Sequence, residues 1–129
     1  MTPELIALAL IVLLHVVLVF LSQAAFNKDV GADVNASPRD DVPPLSKTTQ
    51  RLRRALDNHT ENIGIFIAAV VIVTLSGQAS AFTAACGYVY VAARALYIPA
   101  YLYGWAPWRS LIYTVGLVAT LAMIIAAVL

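Results

Sequence analysis

The sequence predicts an all-α integral membrane protein, a bundle of four transmembrane helices. Hydrophobic residues make up 61% of its 129 positions and charged residues only 12%, with a mean hydropathy of +0.83. About a quarter of a soluble domain is charged, and a soluble chain this short could not hide so much apolar surface. Four apolar stretches each approach the roughly 20 residues that a helix needs to cross ~30 Å of hydrocarbon. Alternation is absent and alanine frequent, which excludes a strand reading. Residues 1–129 therefore form a single four-helix domain.

The first helix is expected over about residues 5–25, through "LIALALIVLLHVVLVFL". It is long for a signal-peptide core and has Glu4 where a basic n-region would stand. A polar loop follows over about 26–48, "FNKDVGADVNASPRDDVPPLSKTT", with a glycine and three prolines. Ser46 or Thr48 suits the N-cap of a second helix over about 49–75. That helix starts amphipathically and is apolar from Ile63 to Leu75. After the tight "SGQAS" turn a third helix spans about 81–103. After "GWAPW" a fourth spans about 107–129, with Pro107 at its first turn.

In this plan all eight basic residues lie toward one side: Lys28, Arg39, Lys47, Arg51, Arg53, Arg54, Arg94 and Arg109. The positive-inside rule then places the long loop and the "GWAPW" turn in the cytoplasm and both termini outside. A net charge of +1 without a basic tract gives no footing for nucleic acid. The single cysteine, Cys86, excludes an internal disulfide and a multi-cysteine metal site. His15 and His59 are too far apart for a short metal motif, so no metal is expected.

Two polar faces interrupt the apolar pattern. On the second helix Arg51, Arg54, Asn58 and Glu61 recur at spacings of three, four and three, sharing an arc about 80° wide. On the third helix Arg94, Tyr97 and Tyr101 repeat the three-then-four spacing, and Arg109 opens the fourth. Snorkelling arginines and an interfacial aromatic belt would account for Arg51, Arg53, Tyr88, Tyr90, Tyr103, Trp105 and Trp108. They do not account for Asn58, Glu61 and Arg94. Glu61 needs a partner, most simply Arg54 or Arg94. Either a structural ion pair between helices or a polar pocket for an anionic, hydrogen-bonding ligand would satisfy it. His59, about 100° off the polar face, reads as interfacial or loop-facing. His15 reads as a packed polar residue, and Cys86 as lying toward the outer side, away from the pocket. Gly64, Gly77, Gly87 and Gly116 suit close helix contacts or turns.

These residues resemble those of the MAPEG superfamily, the membrane-associated proteins of eicosanoid and glutathione metabolism. "RALDNHTENIGIF" is the most specific match, and "LYIPAYLYGWAPWRSL" is similar to the same region of bacterial members; the likeness spans essentially the whole chain. It implies a homotrimer that binds glutathione between subunits near the cytoplasmic face of the membrane, here a bacterial inner membrane. Carried over, Arg54, Asn58 and Glu61, with Arg51 beside them, would contact glutathione from one subunit. Arg94, Tyr97 and Tyr101 would contact it from the next. Arg109 falls near the arginine that stabilises the thiolate in catalytic members, although its interval from Arg94 departs from the family pattern by about a residue. Asn62 resembles the microsomal glutathione transferase branch, and Leu56 replaces a polar side chain found in some members.

The residue types suit that ligand. Arginine forks bind carboxylates at two points, a deep carboxylate suits the ligand's ammonium, and amide and phenol groups suit its peptide bonds. A guanidinium beside the sulfur favours the thiolate, the reactive form. The implied activity is that of a glutathione transferase or peroxidase acting on lipophilic electrophiles or lipid hydroperoxides that enter sideways from the bilayer. Two other readings stay open: a non-catalytic scaffold binding a lipid or thiol ligand, and a small transporter coupled through Glu61.

Overall fold

The structure, a computed structural model, describes residues 1–129. It contains helices only: α1 (Pro3–Val30), a short α2 (Ala32–Ala36), α3 (Lys47–Leu75), α4 (Ala81–Leu102) and α5 (Trp108–Val128). All but α2 are long and apolar enough to cross a membrane. Side-chain oxygens hold the starts of α1, α3 and α4. Thr2 accepts from the Leu5 N–H, Ser46 from Thr49, and Ser80 forms a capping box with Thr83. α1 outlasts its apolar stretch and continues to Val30, because nothing before Gly31 (φ 84°) breaks it. The polar connection is shortened accordingly, and α2 occupies part of it.

α3 and α4 form the central pair; α1 packs against both from one side and α5 from the other, and α1 and α5 do not meet. The core is built from Ala7, Ile11, Phe66, Ala69, Val70, Val73, Tyr90 and Met123. Large apolar side chains such as Phe20, Leu75, Val118 and Ile125 lie on the outside. A chain that is apolar both inside and out, with its backbone bonded within long helices, is built for hydrocarbon. It is an integral membrane protein.

Close approach depends on small residues at two crossings. A Cβ added at Gly87 would stand 3.2 Å from the Ala7 Cβ, and one at Gly116 would stand 3.4 Å from the Ala93 Cβ. Gly64 makes no such approach within the chain: a Cβ there meets nothing within 4 Å. Gly77, with φ +69°, serves the turn after α3.

At the end of the bundle that carries the chain termini, Glu4 is 1% exposed. Its Oε1 accepts from the Thr83 hydroxyl and, at 3.3 Å, from the Ser80 N–H. A carboxylate at the positive end of α4 is favourably placed, and it ties α1 to α4. The opposite end, where Arg51 reaches the Leu102 carbonyl, carries the remaining polar clusters.

Candidate polar pocket at the basic end of the bundle

The two polar faces read from the sequence meet within one chain, because α3 and α4 are packed neighbours. Arg94 is only 2% exposed. Its Nη1–H donates to Asn58 Oδ1 at 3.0 Å, and its Nε–H donates to His59 Nδ1 at 3.2 Å. Its guanidinium carbon lies 4.5 Å from the centre of the Tyr97 ring. Three contacts thus fix a buried cation, with each partner a neutral group.

Two polar cavities open beside this cluster. One, of about 260 Å³, is lined by Asn58, Tyr97, Arg109, Ser110, Tyr113 and Thr114. The other, of about 250 Å³, is lined by Arg51, Tyr101, Gly104, Trp105, Ala106 and Arg109. Arg109 belongs to both and lies exposed at the start of α5, its guanidinium carbon 4.8 Å from the Tyr101 ring centre. Arg54, also exposed, lies 6.0 Å from the same ring. Arg51 donates from Nη1 to the Leu102 carbonyl at 2.8 Å, which holds its charge against the second cavity. Tyr97 and Tyr101 stand 5.8 Å apart, centre to centre. Arginines, phenols and an amide therefore surround a water-accessible space.

Behind the first cavity lies a second layer. Asn62 accepts from the Tyr90 hydroxyl at 2.8 Å and donates to the Tyr113 hydroxyl at 3.3 Å. Tyr90 is 0% exposed and stacks on Phe66 with ring centres 4.0 Å apart. This corrects its reading as a membrane-interface tyrosine. Nine residues into α4 it has reached about 13 Å of depth, where its ring is core and its hydroxyl needs a partner.

His59 is likewise corrected. It is fully buried and stacked 5.2 Å from His15, neither interfacial nor loop-facing. The turn of about 100° that takes it off the polar face directs it toward α1. Because Nδ1 accepts from Arg94, any ring proton of the neutral imidazole is on Nε2. Glu61 pairs with neither Arg54 nor Arg94: it is exposed on the flank of α3, while Arg94 is turned to Asn58 and His59. Glu61 lines neither polar cavity.

Tyr113, Ser110 and Thr114 are pocket residues that the sequence reading omitted. Arg109 and Tyr113 are four apart on one helix face, and that spacing was the available signal. Thr114 is also shared with an apolar groove of about 430 Å³ between α4 and α5, which Cys86, Val89 and Val118 help to line. The polar space thus abuts an apolar groove on the outside of the bundle.

No curated protein and no solved structure matches the chain. The MAPEG family model matches residues 4–129, essentially its whole length. With four apolar helices and the polar motif on the second and third of them, the chain belongs to the MAPEG family, which includes glutathione transferases and peroxidases.

Proposed function

We propose that the chain is a glutathione-dependent membrane transferase or peroxidase that works as a homotrimer in a bacterial inner membrane, with its basic end in the cytoplasm and both termini outside. The observation that carries this reading is the position of Arg109. It is the one cation shared by the two polar cavities, and the first of them adjoins, through Thr114, an apolar groove. A thiol held near Arg109 has a positive charge to stabilise its thiolate, and a lipophilic electrophile in the groove is within reach of it. Tyr97, in the same cavity, can donate a hydrogen bond to the sulfur.

The other groups suit the rest of a tripeptide thiol. Arg51 and Arg54 offer forks for its carboxylates, and Asn58 an amide for its peptide groups. Arg94 acts from behind by orienting Asn58. Glu61, exposed and without a partner in its own chain, can take the ligand's ammonium where a neighbouring subunit completes the pocket. The thiolate attacks the electrophilic carbon and displaces its leaving group. With a hydroperoxide it attacks the distal oxygen, giving an alcohol and a sulfenic acid that a second thiol converts to disulfide and water.

Calorimetric titration with glutathione in detergent, followed by turnover of a halonitrobenzene and of a fatty-acid hydroperoxide, tests this reading. Binding is expected in the wild type and in Arg109→Ala, with turnover lost in the variant. Absence of binding at millimolar glutathione would sink the thiol site. Binding without turnover of either class of substrate would make the protein a ligand-binding scaffold.

A further inference from the structure

A second polar pocket, separate from the one described, lies between α1 and α3 at the same end of the bundle. It encloses about 220 Å³, and its lining includes Val19, Gln23, Phe26, Arg39, Arg53 and Asp57. The guanidinium carbons of Arg39 and Arg53 each lie 4.7 Å from the centre of the Phe26 ring, which is 2% exposed. Two like charges gathered on one buried ring repel each other unless an anion lies between them or beside them. The chain supplies only Asp57 to the same lining, one negative charge against two positive ones, and no hydrogen bond joins it to either guanidinium.

The pocket is also preorganised. Arg39 donates from Nε to the Asn35 carbonyl at 3.0 Å and from Nη2 to Asn35 Oδ1 at 2.6 Å. Asn35 is held by Gln23, which donates to it at 2.6 Å, and by Asn27, which accepts from it at 3.1 Å. Arg53 has no hydrogen bond to any other protein group, so its donors are free for a ligand. A snorkelling arginine reaches loosely toward many headgroups; Arg39 is instead fixed in one place by its neighbours.

The approach to the pocket is apolar. Val12, Val16, Val19, Gln23 and Phe26 follow one another at spacings of four, three, four and three, and so share one face of α1. Val12, Val16 and Val19 are 44%, 44% and 39% exposed. This face passes from exposed valines to two guanidiniums within about two turns, a profile that matches a lipid chain beneath its headgroup.

We propose that the α1–α3 pocket binds the phosphodiester headgroup of a monoanionic glycerophospholipid, with an acyl chain against the exposed valines of α1. Arg39 and Arg53 take the phosphate oxygens. The pocket carries two positive charges and the single negative charge of Asp57, so a ligand of charge −1 balances it. Asp57 then accepts from the hydroxyls of a polyol head, as in phosphatidylglycerol. The site is independent of the thiol reading and stands or falls separately.

Native mass spectrometry on the delipidated full chain, offered equal phosphatidylglycerol, phosphatidylethanolamine and phosphatidylcholine of the same acyl length, tests it. The wild type is expected to retain phosphatidylglycerol about fivefold over phosphatidylcholine, a difference of about 1 kcal/mol. The R39Q/R53Q variant should fall to parity, whereas K28Q/K47Q, with the same change in charge at the same end of the bundle, should keep the preference. D57N should still retain phosphatidylglycerol. Parity in the wild type overturns the proposal, as does an equal loss in K28Q/K47Q, which would mean general surface attraction. Displacement of the lipid by inorganic phosphate would assign a soluble anion site instead. Preference for phosphatidylethanolamine, lost in D57N, would assign a zwitterionic lipid and overturn the monoanion. Should R39Q/R53Q lose its helices in detergent, R53Q alone replaces it, since that side chain bonds no other protein group.

Discussion

Arg94 Nε donates to His59 Nδ1 at 3.2 Å inside the helix bundle, and the same guanidinium donates to Asn58 Oδ1 at 3.0 Å. One buried cation therefore links the α1-facing side of α3 to its pocket-facing side. Removing a partner from a buried charged group costs about 1.5–3 kcal/mol. His59→Ala and Arg94→Ala should each lower stability in detergent by about that much, and the double variant should cost less than their sum. Thermal unfolding of the four species measures the coupling, expected between about 0.5 and 3 kcal/mol. Additive losses would mean that the two side chains act separately.

Glu4 joins α1 to the capped start of α4 through Thr83 and Ser80. Glu4→Ala removes an acceptor at a buried helix N-terminus, and caps of this kind are worth about 1 kcal/mol. Glu4→Gln keeps an acceptor oxygen and should lose less. Hydrogen exchange should show faster opening at the start of α4 in Glu4→Ala, with the basic end of the bundle unchanged.

The glycines of α3 and α4 should respond in opposite ways. Gly87→Val drives a branched side chain into Ala7, already 3.2 Å from an added Cβ, and overpacking of this kind costs about 1–3 kcal/mol. Gly64→Ala meets nothing within 4 Å in its own chain and replaces a poor helix former with the best, a gain of up to about 1 kcal/mol. Melting temperatures in detergent would separate the two. A loss at Gly64 would place a neighbouring copy of the chain against that face.

The four helices and the polar stripes on α3 and α4 were legible in the sequence because apolar length and three-and-four spacing are local properties. Arg51, Asn58, Tyr97, Tyr101 and Arg109 line the two cavities, which one face per helix was enough to suggest. Helix-to-helix contact was not legible. His59 departs from its stripe by an angle that is local, but the burial of that side depends on α1 lying there. Tyr90 looks interfacial by residue type, and only the register of α4 against Phe66 makes it core. Glu61 called for a partner on charge grounds, but the packing of α3 leaves it outside the subunit's polar cluster. The pair of guanidiniums on Phe26 joins three segments distant in sequence, with no spacing to reveal them.

Thr114 stands where polar cavity and apolar groove meet, so it is the position at which the two substrates of the proposed reaction should be separable. Its hydroxyl already donates to the Ser110 carbonyl at 2.9 Å along its own helix, which leaves its methyl group and volume to shape the junction. Thr114→Phe adds bulk at that junction and leaves the side chains of Arg51, Arg54 and Asn58 themselves unchanged. For a bulky lipophilic electrophile KM should rise about tenfold, equivalent to about 1.4 kcal/mol, while glutathione affinity stays within about twofold. Thr114→Val keeps the shape and should change neither. Equal losses for glutathione and electrophile in Thr114→Phe would mean that the groove is not the route to the thiol, and the entry would then have to be sought on another flank of the subunit.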